Sequence, residues 1–230
     1  MELEKLLLNI TATQNKEKLK EFLEVTYPID IAAAITKFGR NELSLFLNLL
    51  SAEEIATILE ESEEDLQQNI IRLLDSEMIV TIFAYMSSDD IADILGILGI
   101  NQRKELLIKM KESDSTEIQM LLGYGPETAG GIMTTQYIAL RNNLSVKEAL
   151  QKIKVIGPKT EVIEILFIIN ESNELIGSAD LRDVLVATDE TTLEEIMDEN
   201  VLHVFPETDQ EEVSLIVSKY DLKALPVVNR

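Results

Sequence analysis

Apolar residues in the first 131 positions recur at helical spacing and are broken every few residues by polar or capping side chains. Leu50-Ser-Ala-Glu-Glu-Ile-Ala-Thr-Ile-Leu59 and Met86-Ser-Ser-Asp-Asp-Ile-Ala-Asp-Ile-Leu95 match in pattern at nearly every position. Asp30-Ile-Ala-Ala-Ala-Ile35 is a weaker third copy. Ile55, Ile58 and Leu59, like Ile91, Ile94 and Leu95, fall on one helical face. Ser51 and Ser87 stand where an N-cap is needed, with Glu54 and Asp90 three residues on to reach back. Further amphipathic segments lie at 66–74 and 103–110. Helices of about ten residues are not stable alone in water, whereas stacking buries a continuous seam. The pattern predicts an α-helical superhelix (solenoid) over residues 1–131, with an irregular helical bundle as the alternative.

The pattern changes after Gly130-Gly131. Pro126 reads as a helix start following extended chain, and the two glycines as its end. Beyond them the chain reads strand, helix, strand. Ser145-Val-Lys-Glu148 and Asp209-Gln-Glu-Glu212 are N-cap signatures 64 residues apart. They predict helices from 146 to about 153 and from 210 to about 220, followed by buried strands at 163–169 and 224–228. The first of these strands turns through Asn170-Glu-Ser-Asn-Glu174, returns at 175–179 and feeds a helix at 181–187. The second copy runs only to Arg230, so its return strand and last helix are expected to be missing from this sequence. That would leave a strand without its hairpin partner.

Charge narrows the function. The formal net charge is −22 over 230 residues, spread over both halves. Such a surface repels phosphate backbones and anionic lipid headgroups, and attracts cations. There is no cysteine, which excludes disulfides, thiolate chemistry and cysteine-ligated zinc. The single histidine, His203, lies in an apolar, strand-like run and reads as structural. No Ser-His-Asp set and no phosphate-cradling Gly-Lys-Ser/Thr loop is available, so no enzyme is expected. Glu2, Glu4 and Lys5 interrupt any leader-like apolar run, and the stretch from Met78 to Met86 is too short to span a bilayer. The chain as given is expected to be soluble.

Two stretches resemble known families. Thr128-Ala-Gly-Gly-Ile-Met-Thr134 resembles the domain junction of the MgtE family of magnesium channels and transporters. The duplicated β-α-β-β-α order resembles a pair of cystathionine β-synthase (CBS) domains. It is carried by Ile132-Met133, Ile196-Met197, residues 177–183 and Leu225-Pro226-Val227-Val228. The resemblance implies an α plus α/β chain: a helical superhelix at 1–131, a first CBS domain at 132–195 and an incomplete second one at 196–230.

It also implies a function and a set of sites. The chain would be the cytosolic Mg2+-sensing region of a magnesium transporter. It would lie on the cytoplasmic side of the membrane, form a homodimer through its CBS domains and regulate the transmembrane pore of the full-length protein. Asp89 and Asp93, one helical turn apart, match regulatory Mg2+ positions of the helical domain. Asp90 points elsewhere and reads as a capping residue. Glu211, the backbone carbonyl of Ser218, and Asp221 match metal positions of the second CBS domain. Arg182 and Asp183, with the strand at Pro226 and Val227, match a cleft for ATP or another adenine nucleotide. Asp180 departs from that pattern, because CBS nucleotide sites commonly place serine or threonine there and a carboxylate repels phosphates. The expected mechanism is Mg2+ bridging of acidic surfaces that otherwise repel. The alternatives are an adenine-nucleotide-sensing module and a helical scaffold for a protein partner.

Overall fold

A twelve-residue rhythm organises the first half of the chain. In the computed structural model, which describes residues 2–160 and 162–229, the chain divides into two units at Leu122/Gly123. The first unit opens with α1 (Glu2–Thr13), α2 (Lys16–Val25) and α3 (Pro28–Ile35). There follow α4 (Arg40–Leu47), α5 (Ala52–Glu60), α6 (Glu64–Ile71), α7 (Ser76–Phe83), α8 (Ser88–Gly96), α9 (Ile100–Lys109) and α10 (Glu112–Leu121). From α2 onward each helix begins twelve residues after the previous one, at 16, 28, 40, 52, 64, 76, 88, 100 and 112.

Local chemistry sets this rhythm. Asn15, Ser51, Asp75 and Ser87 each accept a hydrogen bond from a backbone amide three residues on, which fixes where α2, α5, α7 and α8 begin. At Ser51 the cap is reciprocal, because the Ser51 amide donates to Glu54 Oε2 at 2.7 Å. The buried face then repeats. In α3 it is Ile31, Ala32, Ala34 and Ile35; in α5 it is Ile55, Ala56, Ile58 and Leu59; in α8 it is Ile91, Ala92, Ile94 and Leu95. These are the same four places in the unit.

Helices pack chiefly on those two places away in sequence. One row runs α1, α3, α5, α7, α9, and the other α4, α6, α8, α10. This is the expected solenoid. Each helix buries an apolar stripe that it could not hide by itself.

Polar side chains seal the joints. Gln67 Nε2 donates to the Leu59 carbonyl at 3.0 Å, at the end of α5. The equivalent position one three-helix period later is Arg103. Its Nε donates to the Leu95 carbonyl at 2.8 Å, and its Nη2 to Gly96 at 2.8 Å and Leu98 at 3.3 Å. One guanidinium thus satisfies three carbonyls at the C-terminal end of α8, where intrahelical donors run out.

The second unit holds β1 (Ala139–Arg141), α11 (Val146–Ile156), β2 (Ile165–Ile169), β3 (Leu175–Asp180), α12 (Leu181–Val186), α13 (Leu193–Ile196) and α14 (Gln210–Tyr220). β1 runs parallel to β2, and β2 antiparallel to β3. Ile138, Leu140, Val146, Ala149, Ile153, Leu166, Ile168, Ala179, Val184 and Leu193 form the core. The second copy begins the same way. α14 lies 64 residues after α11 and has the same length of 11 residues, and Val204 pairs in parallel with Val227 as Leu140 pairs with Ile168. Its strand, expected at 224–228, is reduced to that one bridge, because no described segment lies antiparallel to it as β3 does to β2. α14 buries no residue completely, and Leu215 is 70% exposed.

The junction differs from expectation. No helix starts at Pro126; residues 126–131 form turns and a bridge. Their backbone instead pairs with the second copy: Ala129 N to Thr208 O at 2.7 Å, Gly130 N to Pro206 O at 2.9 Å, and Gln210 N to Glu127 O at 3.0 Å. The glycines serve close approach rather than helix breaking. A Cβ on Gly131 would sit 2.1 Å from the Gly125 carbonyl oxygen, and one on Gly130 would sit 2.6 Å from the Tyr124 ring.

Arg103→Ala should lower the unfolding free energy of the helical unit by about 2 kcal/mol, since charge-assisted hydrogen bonds are lost and carbonyls are left unpaired. Gln67→Ala should cost roughly half that. Urea denaturation followed by far-ultraviolet circular dichroism measures both.

Candidate metal and nucleotide sites

α8 carries Asp89 and Asp93 on its partly exposed side, opposite the face that buries Ile91, Ile94 and Leu95. α6 packs against both α5 and α8. That arrangement brings Glu60, the last residue of α5, with Glu61 and Glu64 into the electrostatic field of α8. Burial pushes the Glu60 carboxyl up to about 7; the charges of Asp90, Glu61 and Asp89 add to the effect in that order. Asp93 is raised as well, first by desolvation and then by Asp90, Asp89 and Glu64. Both shifts have the same physical cause. Like charges are crowded at a surface that the neighbouring helices partly shield from water, although Glu60 and Asp93 both remain exposed.

Asp90 has a larger part than its capping role implied. Ser87 Oγ donates to Asp90 Oδ2 at 2.5 Å, and the Asp90 amide donates to Ser87 Oγ at 3.2 Å. The cap is present. Yet Asp90 is also the strongest charged neighbour acting on both Glu60 and Asp93. Sequence reasoning missed Glu60, Glu61 and Glu64. The signal was the acidic run Glu60-Glu-Ser-Glu-Glu-Asp65, which the twelve-residue period places at the α5–α6 joint beside α8.

The donor set suits a hard, oxygen-preferring cation. Among the described residues, however, no group of three or more histidine, cysteine, aspartate or glutamate side chains converges closely enough to hold a metal ion.

In the second unit, Glu211 lies in the first turn of α14, Ser218 in its last turn and Asp221 at its C-cap; all three are exposed. Ten helical residues separate Glu211 from Asp221, roughly 15 Å along the axis, so these two carboxylates cannot share one ion. Ser218 is among the last four residues of the helix, whose carbonyls have no intrahelical donor and are open to a ligand. Asp221 has φ 51° and ψ 45°, in the left-handed region where glycine is the relaxed choice. A carboxylate is held there at some conformational cost.

Arg182 and Asp183 open α12 and are exposed; Pro226 and Val227 are half-buried in the bridged segment of the second copy. The Val204 amide donates to the Pro226 carbonyl at 3.1 Å. Asp180 connects the two groups. It ends β3, and its Oδ1 lies 4.0 Å from Lys223 Nζ, three residues before Pro226. The carboxylate that departs from the expected serine or threonine thus has a cationic partner from the other copy. His203 packs edge-on against Phe205, with ring centroids 5.8 Å apart.

A solenoid of short helices bearing a carboxylate cluster, followed by an α/β unit with a duplicated plan, defines a two-part chain. Comparison with known proteins names both parts. The MgtE intracellular N domain matches residues 26–127, and the CBS domain matches 129–190 and 193–230. The magnesium transporter MgtE of Bacillus subtilis (strain 168) is 28% identical over 231 residues, covering 99% of this chain and 51% of that protein. The crystal structure of the soluble part of a magnesium transporter superposes with a TM-score of 0.91 at 27% identity, over 99% of this chain and 90% of that one. The cytosolic domain of the Mg2+ channel MgtE in complex with ATP gives 0.90 at 29% identity, over 96% and 91%. The chain is an MgtE N domain joined to a CBS region, with the fold of the MgtE cytosolic domain. It spans about half the length of the Bacillus relative. No helix among the described residues is long and apolar enough to cross a membrane.

Two tests follow from this geometry. Glu60 binds a proton more tightly folded than unfolded, so the folded state gains stability as pH falls from about 7 toward the ordinary carboxylate range. Thermal unfolding should therefore rise by a few degrees between pH 8 and pH 5.5. Glu60→Gln should raise it at pH 8 and flatten the dependence. Asp221→Gly should stabilise the second unit by up to about 1 kcal/mol by relieving the left-handed conformation, as read by chemical denaturation.

Proposed function

We propose that this chain is the Mg2+-sensing regulatory region of a magnesium transporter. It acts at the cytoplasmic side of a membrane and governs a pore formed by another part of the full-length protein. The observation that carries this reading is the carboxylate cluster of α5, α6 and α8, whose members raise one another's affinity for positive charge. Asp89 and Asp93 hold hydrated Mg2+ on the helical unit. Glu211, and separately the Ser218 carbonyl with Asp221, hold it on the CBS unit. Bound Mg2+ removes repulsion and draws the acidic units together; when Mg2+ is scarce they separate. Two copies pair through their CBS regions.

The magnitudes favour many weak sites. Two carboxylates about 5 Å apart repel by roughly 1 kcal/mol in a water-like dielectric. Swinging a two-state equilibrium from 1:99 to 99:1 takes about 5.5 kcal/mol. A site used only in the closed state contributes about 1.4 kcal/mol at tenfold excess over its Kd. About four ions are therefore required, and a chain with net charge −22 has the carboxylates to receive them.

Small-angle scattering under a Mg2+ titration, against monovalent salt of matched ionic strength, tests the proposal. Compaction specific to millimolar Mg2+ is expected. It should weaken in Asp89→Asn/Asp93→Asn and at pH 6, where protons compete at Glu60. Equal compaction by both salts would mean Debye screening alone and would defeat the reading.

A second reading concerns the cleft of the CBS unit. The related cytosolic domain was solved in complex with ATP. The Asp180–Lys223 pair supports a similar ligand here, because it links the corner bearing Arg182 and Asp183 to the segment bearing Pro226 and Val227. We assign this cleft to an adenine nucleotide.

A further inference from the structure

We propose that Lys223 is the phosphate-reading residue of the cleft and that Asp180 is its exchangeable counter-ion. The inference rests on the nucleotide reading of the CBS unit and adds the part of the ligand that is selected. An acidic chain repels phosphates on approach, so a phosphate-bearing ligand needs a local cation. Lys223 is placed to supply that charge, beside Arg182 on α12. It lies just before the segment that contains Pro226 and Val227, and it reaches back to the end of β3.

Asp180 is free of the duty its position would give it. It is the N-cap residue of α12, with cap-like backbone angles of −69° and 137°, yet its side chain makes no cap hydrogen bond. The carboxylate faces Lys223 instead, at 4.0 Å. The pair is also weak enough to exchange. The Lys223 and Asp180 side chains are 58% and 52% exposed, and ion pairs so open to water contribute little. A phosphate chain carries more charge than one carboxylate and accepts charge-assisted hydrogen bonds from an ammonium group. It displaces Asp180 from Lys223, and the advantage grows with the number of phosphates. Asp180 thereby turns from a residue that would exclude nucleotides into one that holds the reading residue ready. The adenosine part makes no use of the pair.

Isothermal titration calorimetry with ATP, AMP and adenosine, in chelator-treated Mg2+-free buffer, tests this on the whole chain. The wild type should bind ATP more tightly than AMP, and AMP more tightly than adenosine. Lys223→Gln should weaken ATP about tenfold, as loss of one charge-assisted contact does, and leave adenosine within about twofold. Asp180→Ser should tighten ATP several-fold. Both side chains are exposed, so melting temperatures should stay near wild type; should Lys223→Gln misfold, the Asp180→Ser arm still decides. An ATP affinity unchanged by Lys223→Gln, an equal loss for adenosine, or weaker ATP binding in Asp180→Ser overturns the proposal while leaving the nucleotide site standing. Absence of binding by all three ligands to both wild type and Asp180→Ser removes the nucleotide site itself, and this proposal with it.

Discussion

A helix of eight to ten residues makes too few internal hydrogen bonds to offset the cost of its nucleation. The first unit contains little else. Each of its helices persists because Ile, Leu, Ala and Phe side chains at fixed places in a twelve-residue unit meet those of the helix two units away. Every functional placement in this half depends on that packing. The alanines Ala32, Ala56 and Ala92 matter as much as the larger residues, since each occupies a buried position where a larger side chain would hold neighbouring helices apart.

Stacking has an electrostatic consequence. Once α6 seats against both α5 and α8, Glu60 and Asp93 lie in the field of Asp89, Asp90, Glu61 and Glu64 and are partly desolvated. The fold accepts that repulsion because the buried stripes on the other side of the same helices outweigh it. Arg103 secures the end of α8 through three backbone carbonyls, and no carboxylate among the described residues pairs with it. It therefore steadies the helix without neutralising the acidic cluster.

The second unit solves a different problem. Its two copies share one plan; among the described residues the first forms a three-stranded sheet around a buried core and the second a single parallel bridge. The second is secured by backbone contacts from the junction and by the Val204–Val227 bridge. Gly130 and Gly131 belong to this arrangement, since neither place has room for a side chain. The Asp180–Lys223 pair is a further tie between the copies, and an exposed one.

Much of this was legible in the residues. Periodicity, N-cap spacing and the 64-residue duplication specify which segments are helix or strand, because those signals are local and every copy repeats them. The acidic surface and the absence of cysteine or a second histidine set the available chemistry. Residues 126–131 were misread as a helix because proline and paired glycine have the same local meaning at a helix boundary and at a close crossing of chains. Only tertiary packing distinguishes the two, through the Gly125 carbonyl and the Tyr124 ring. Glu60, Glu61 and Glu64 were equally invisible as partners of Asp89 and Asp93. Their proximity depends on which helices stack, and their raised proton affinity on how much water the stack excludes. The sequence determined the units and their charge; the fold decided which charges meet, because proximity and desolvation are properties of packing and not of order along the chain.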